Sequence, residues 1–319
     1  MKLNRLSNAE EALAYSRLYS LLSGLYVHGL TRENLESVRM ASPLAAALTE
    51  PVNLEEAAAD HQHQFGFNVF PYASAFLDPS GLLGGAISDR HIQEYQQGGY
   101  RPRSSEGADH IGNELGFIAH INRLESSAWT EEDAEAAHEF KGRMSRLIDN
   151  HIFPWLAPFV LAVRHQGNSF FIQVVDLTLE SLDQQRRQYG RAKSKPLALP
   201  KTPPVADDNL NDIKNISSHL LTPLSSGIFL SRDDIGRLAQ RLTLPRGFGQ
   251  RRPMIENLFE SAITYEQTPN LLSSLQRLLT NWEDEYRELA KQSGPTLQVE
   301  DWLSRVKESK KLISQLAKD

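Results

Sequence analysis

The chain has 319 residues, 40% hydrophobic and 23% charged, with a formal net charge of −6. That is enough for one large domain or two ordinary ones with a real core. No cysteine is present, which excludes disulfides, thiolate zinc sites, iron–sulfur ligation and thiol catalysis.

The charge is uneven. Residues 1–190 hold 15 Lys and Arg against 24 Asp and Glu, a net of −9, and the remaining 19 and 16 give residues 191–319 a net of +3. An acidic front half favours basic partners over nucleic acid, although an ordinary solvated surface has the same signature. The first residues lack the apolar core of a signal peptide. No run approaches the ~18 apolar residues of a membrane span. A soluble cytoplasmic protein without a membrane partner is expected.

Helical periodicity dominates from the start. Within Ala9–Val27 the residues Leu13, Leu18, Leu21, Leu22 and Leu25 recur at three- and four-residue steps. Asn53–Phe65 also reads as helix. Phe65, Phe67, Phe70, Tyr72, Phe76 and Leu77 then crowd a short stretch broken by Pro71 and by Asp78–Gly81. Such a stretch suits an apolar groove for a peptide; ordinary core is the competing reading.

Glu106-Gly107-Ala108-Asp109-His110 leads into an apolar-periodic helix, Ile111–Leu124, with Ile111, Leu115, Ile118 and Ile121 on one face. Three ionisable groups within five residues, with no nucleophile or phosphate loop beside them, point to a binding rim. Asp109 stands where it can cap the helix. His110 and Glu114 are i, i+4 neighbours, which predicts a hydrogen-bonded pair or two metal ligands. A metal needs more ligands; HExxH is absent, and His61 and His63 would diverge on a helix. Gly112 and Gly116 share a face, which predicts close approach of another helix or a ligand.

Thr130–His151 reads as a helix with Thr130 as N-cap, followed by Glu131, Glu132 and Asp133. The apolar stretch Ile152–Val163 contains Pro154 and Pro158, and the helical pattern runs from Phe159 to Arg187. Within Ser169–Leu182, the run Phe170 to Val175 is compatible with a strand. Phe171, Val175, Thr178 and Leu182 also share a helical face, and a buried helix is expected. Gly190–Asn215, with Pro196, Pro200, Pro203 and Pro204, reads as a linker. Beyond it Ser231 and Asp234 form an approximate capping box for a helix with Ile235, Leu238 and Leu242. Pro245, Gly247 and Gly249 break the chain, a helix begins near Arg252–Pro253, and Val299–Leu316 is amphipathic. The expected fold class is all-α: a helical bundle over residues 1–189, a Pro-rich linker over 190–215 and a smaller helical region over 216–319.

Two motifs carry a family resemblance. Glu106-Gly107-Ala108-Asp109-His110 resembles the E-P-x-D-H motif of the TorD/DmsD/NarJ family of redox-enzyme maturation chaperones. Tyr72-Ala73-Ser74-Ala75-Phe76 resembles that family's aromatic-x-x-Leu-Phe motif. The apolar helix, then Asn150–Leu156, then Phe170–Leu182 follow in the family's order, so the resemblance spans about residues 10–190. Gly107 stands where the family has Pro, which makes the helix entry less rigid. Ala75 replaces the usual Leu, which makes one side of any groove shallower. The segment Thr222–Gly227 resembles the C-terminal extensions of longer members.

The resemblance implies a cytoplasmic, all-helical, non-enzymatic chaperone. Such proteins bind the twin-arginine signal peptide of a molybdenum- or tungsten-dependent oxidoreductase, or another part of its catalytic subunit. They hold it back from export until the pterin cofactor is inserted. The peptide site would comprise Tyr72, Phe76, Leu77, Glu106, Asp109, His110 and Glu114. No cofactor or metal of its own and no nucleic acid are expected, and the chain would be a monomer or homodimer.

Two other readings compete. Ser231–Leu242, the turn at Pro245–Gly249 and the helix from Arg252 resemble a helix-turn-helix DNA-binding regulator, with Arg246, Arg251 and Arg252 nearby. The modest charge of that region and the long turn count against it. A metal-dependent hydrolase built on Asp109, His110 and Glu114 lacks an activated nucleophile, GxSxG or a phosphate loop.

Overall fold

A computed structural model of the chain describes residues 7–190, 199–200, 212–293 and 298–317. Most of the expected Gly190–Asn215 linker lies outside the described residues. The fold is all-α, as expected, and no strand forms among the described residues.

Helix α1 (Asn8–His28) starts on a capping box: Ser7 Oγ accepts from the Glu10 N–H, and the Glu10 carboxylate accepts from the Ser7 N–H at 2.9 Å. Gly29, at φ 70°, stops it. Two short helices follow, α2 (Leu35–Met40) and α3 (Ser42–Ala46), then α4 (Leu54–His61), capped by Asn53. The expected Asn53–Phe65 helix changes winding half-way, because Gln62–Asn68 is a π-helix. Then come α5 (Ala73–Leu77), α6 (Gly85–Gln97) and α7 (Ile111–Thr130).

Helix α7 runs past the expected end at Leu124, and Thr130 is not an N-cap. Its hydroxyl donates back to the Ser126 carbonyl at 2.9 Å, inside α7. The chain breaks at Glu132 (φ 61°), and Asp133 caps α8 (Ala134–Leu147) by accepting from the Ala136 N–H. After a π-helical turn, Ile148–Ile152, comes α9 (Phe153–Gln166). Pro154 sits in its first turn, where a missing N–H costs nothing. The expected helix from Phe159 to Arg187 is in fact two. Gly167 adopts a left-handed conformation (φ 78°), and Asn168 caps α10 (Ser169–Gln188). The Ser169–Leu182 segment is helical as expected, with Phe171, Val175, Thr178 and Leu182 buried.

The C-terminal region begins at α11 (Ile213–Leu221), so residues 213–215 are helix rather than linker. Then come α12 (Pro223–Ser226), α13 (Arg232–Arg241), α14 (Arg251–Thr264), α15 (Thr268–Ser293) and α16 (Val299–Leu316). The Ser231–Asp234 capping box forms as expected.

One hydrophobic core runs through both regions. Phe76 of α5 stacks on Phe229 with centroids 5.1 Å apart, and the Trp302 indole of α16 donates to the Pro154 carbonyl at 3.0 Å. The Tyr286 hydroxyl of α15 donates to the Gly227 carbonyl at 2.8 Å. The segment that carries the sequence motifs is therefore floored partly by the C-terminal region.

Candidate functional site

The two motifs meet directly. Tyr72 and His110 form an isolated antiparallel bridge, with the Ala73 N–H donating to the Asp109 carbonyl and the Ile111 N–H to the Pro71 carbonyl, both at 2.9 Å. This pairing sets the Asp109 side chain beside the start of α5. Its Oδ2 accepts from the Ser74 N–H at 3.0 Å and from the Ser74 hydroxyl. Asp109 therefore does not cap α7, contrary to expectation. His110 does, accepting from the Gly112 N–H at 3.0 Å through Nδ1.

The loop is held from several sides. Asn113 Nδ2 donates to the carbonyls of Glu106 (3.1 Å) and Gly107 (2.9 Å), and the Ser104 hydroxyl donates to Asn113 Oδ1 at 2.8 Å. The Tyr95 hydroxyl donates to the Ala108 carbonyl at 2.6 Å. The Tyr72 hydroxyl donates to the Glu106 carboxylate. Burial and that carboxylate both raise the Tyr72 pKa, so the phenol stays protonated.

His110 and Glu114 do not pair. The His110 ring, 3% exposed, is committed to the Gly112 N–H and lies edge-on to Tyr72 at 4.9 Å. Burial pulls its pKa down to about 4. Glu114 instead approaches His91 of α6, Oε1 to Nε2 2.7 Å, with both side chains buried. Burial lifts the Glu114 pKa to about 7, against the pull of His91. Burial alone would lower the His91 pKa, but the Glu114 carboxylate outweighs it and holds it above the usual value. The His151 ring lies 4.7 Å from His91, and burial pulls its pKa to about 3. No group of three or more side chains able to hold a metal occurs among the described residues.

The seven expected site residues thus divide. Tyr72 and Glu106 remain partly exposed. Phe76, Leu77, Asp109, His110 and Glu114 are buried. Phe76 packs on Trp155, Phe159 and Phe229, so it belongs to the core.

A groove of about 130 Å³ lies between the α3–α4 segment and the start of α10. Leu48, Val52, Ala57, Phe170 and Phe171 line it, and Glu56 and Asp60 stand among them with no Lys, Arg or His. Asn168 Nδ2 fixes Asp60 through a 2.9 Å hydrogen bond. The next residue, His61, hydrogen bonds the Tyr26 carbonyl at 3.0 Å and packs on Phe65 and Phe171. Burial holds the His61 pKa below its ordinary value. Sequence reasoning missed Glu56, Asp60 and Asn113. The acids on α4 were visible, but nothing in the chain placed Phe170 and Phe171 opposite them.

The helix-turn-helix expectation meets an obstacle. Residues 242–250 separate α13 from α14, against a turn of about 3–4 residues in that motif. Arg251 folds inward over Phe229, centroid distance 4.5 Å.

Fold and site define an all-helical protein with a motif loop clamped onto a short helix and, elsewhere, an apolar groove with Glu56 and Asp60 in its wall. Residues 32–161 match the family model described as nitrate reductase delta subunit. Over that span the chain is similar to the NarJ/TorD-type chaperone family. The family consists of maturation chaperones that act on molybdoenzyme subunits, and it is not a catalytic family. The match includes both motifs and ends inside α9. No curated protein matches the chain. No helix among the described residues is long and apolar enough to cross a membrane.

Proposed function

We propose that the chain is a cytoplasmic chaperone for a molybdenum- or tungsten-dependent oxidoreductase. It binds the twin-arginine signal peptide, or another part of the catalytic subunit, and holds it while the pterin cofactor is inserted before export or assembly. The observation that supports this most is the apolar groove with Glu56 and Asp60 in its wall and no basic lining residue. A twin-arginine peptide offers a basic end followed by an apolar core, and the groove complements both. Tyr72 and Glu106, partly exposed at the motif loop, offer the peptide a separate polar contact. Phe76, Leu77, Asp109, His110 and Glu114 are buried behind the motif loop and hold it in place.

The expected affinity is modest. Burying ~400 Å² of apolar surface contributes roughly 10 kcal/mol gross at 25 cal/mol/Å². Ordering a flexible peptide offsets part of it, and a micromolar complex, about −8 kcal/mol, results.

Calorimetry with synthetic twin-arginine signal peptides from molybdoenzyme subunits of the same genome tests this. Glu56→Lys combined with Asp60→Lys should weaken binding by about tenfold or more, since two charge pairs at ~0.2–1 kcal/mol each become repulsions. Far-ultraviolet circular dichroism should stay unchanged, because both residues lie on the outer part of α4. Equal affinity in the double variant would remove the groove from the function. Capture of the mature subunit without its signal peptide would reassign the groove to that subunit.

A further inference from the structure

A second groove, of about 540 Å³, has the opposite polarity. It lies where the π-helical segment and the loop after α5 face the C-terminal region. Eight large apolar side chains stand exposed among the described residues. Phe67 and Leu82 line the groove, and Leu83 and Phe248 are the next residues in sequence to lining ones. Scattered exposed apolar residues need no explanation, but a cluster around one concavity does.

Its charge is equally distinctive. Arg232, Arg251 and Arg252 line it, and no Asp or Glu does. The Arg251 guanidinium sits over Phe229 at 4.5 Å and Phe70 at 5.8 Å, and donates to the Leu230 carbonyl at 3.0 Å. No ion pair involving Arg251 or Arg232 forms among the described residues, and burial lowers the Arg251 pKa to about 10. Arg232 stacks over Phe67 at 5.6 Å, and its Nε is buried without a hydrogen-bond partner. Among the described residues Arg252 pairs with Glu256 of its own helix at 3.8 Å and donates to the Ser218 hydroxyl at 2.7 Å. The 14-residue α14 opens at Arg251 with no side-chain cap on its first N–H groups, which adds a partial positive charge.

An uncompensated cation held out of water is costly, and largely buried Arg251 is one, flanked by half-buried Arg232 and exposed Arg252 in a chain whose net charge is −6. An occupant that brings carboxylates removes that cost, and one that also brings large apolar side chains covers Phe67 and Leu82. We infer that this groove docks an extended segment of a partner protein in which Asp or Glu residues alternate with large apolar ones. Its carboxylates meet Arg232, Arg251, Arg252 and the start of α14, and its apolar side chains lie on Phe67, Phe70 and Leu82. A basic signal peptide would be repelled there, so this surface is separate from the groove at Glu56 and Asp60 and stands independently of that reading.

Panning a random phage-displayed peptide library on the full chain tests the inference, with counter-selection on the double variant Arg232→Glu/Arg252→Glu. The expected consensus carries at least two acidic residues flanking Leu, Ile or Phe. A synthetic consensus peptide, followed by fluorescence anisotropy, should bind that variant about tenfold or more weakly. It should bind Leu82→Ser, an exposed change that leaves the fold intact, a few-fold more weakly (about threefold). It should bind Glu56→Lys/Asp60→Lys as it binds the wild type. Basic or uncharged consensus peptides, no enrichment, or equal binding to the double variant would each overturn the inference. Full displacement of the peptide by inorganic phosphate with no effect of Leu82→Ser would reduce the groove to an anion pocket. Dimers in sedimentation velocity that the same substitutions dissociate would assign it to a second copy of the chain.

Discussion

Asp109 and His110 divide between two helices the work that their order in the chain assigns to one. Asp109 reaches across the bridge to Ser74, and His110 takes the cap of α7. Hydrogen bonds to a buried carboxylate contribute about 1.5–3 kcal/mol each, so Asp109 ties the motif loop to α5. His110 makes the site sensitive to acid. Its ordinary pKa is 6.5 and its folded pKa about 4, so the unfolded chain takes up a proton first as pH falls. The stability it confers is full above its unfolded pKa and is lost as pH falls toward the folded one, amounting to up to about 3 kcal/mol. Glu114 runs the other way: its folded pKa of about 7 lies above its ordinary 4.5, so its contribution is full below the lower value and lost as pH rises through the higher. Urea unfolding at about pH 7, 6 and 5 should show the wild type losing ~1 kcal/mol more per pH unit than His110→Asn, which keeps an acceptor for Gly112. Parallel slopes in the two proteins would contradict this assignment.

At the scale of the element, the pairing of α1 with α7 shows what a small residue achieves. A Cβ on Gly112 would come within 2.5 Å of Val27 Cγ2 and 3.0 Å of the Ser23 carbonyl. The close approach lets serines bridge the helices: Ser23 donates to the Gly112 carbonyl at 2.6 Å, Ser16 to the Ala119 carbonyl at 2.8 Å and Ser126 to the Ala9 carbonyl at 2.8 Å. Gly112→Ala should destabilise the protein by about 2 kcal/mol through overpacking. Gly24→Ala, with nothing within 4 Å of the new Cβ, should gain ~0.5–1 kcal/mol from helix propensity. Denaturant midpoints of the two variants that shift together would undo the argument. The spacing of Gly112 and Gly116 showed that something packs closely on that face. It could not show that the neighbour is α1, nearly a hundred residues earlier, because one periodic helix looks like another until they are docked.

At the scale of the whole molecule, the C-terminal region supports the motif region rather than hanging from it. Phe229 lies under Phe76, Trp302 bonds to Pro154, and Gly227 (φ 79°) lies so close to α16 that a Cβ there would meet the Val306 N–H at 2.6 Å. A shared core unfolds as a unit. Scanning calorimetry of the full chain should therefore show one transition, with the calorimetric and van't Hoff enthalpies equal. Two resolved transitions would mean that residues 216–319 fold on their own. The arginine-lined groove depends on this assembly, because it forms where the C-terminal region meets the π-helical segment, whereas the acid-lined groove needs only α10 docked against α4.

The chain by itself determined the all-α class, the capping box at Ser231, the buried face of Ser169–Leu182 and the motifs that carry the family resemblance. Those are local patterns: period, cap chemistry and short spacings act over a few residues. Boundaries at Thr130 and Gly167 escaped, because a better cap three residues on and a left-handed turn each overrode the periodic pattern. Only the tertiary structure decided which members of the site face solvent. Burial of Phe76, Asp109, His110 and Glu114, the pairing of Glu114 with His91, and the meeting of Glu56 and Asp60 with Phe170 and Phe171 join residues far apart in the chain. Such contacts form only when the helices dock on a common core, and no periodicity within one helix specifies its partner.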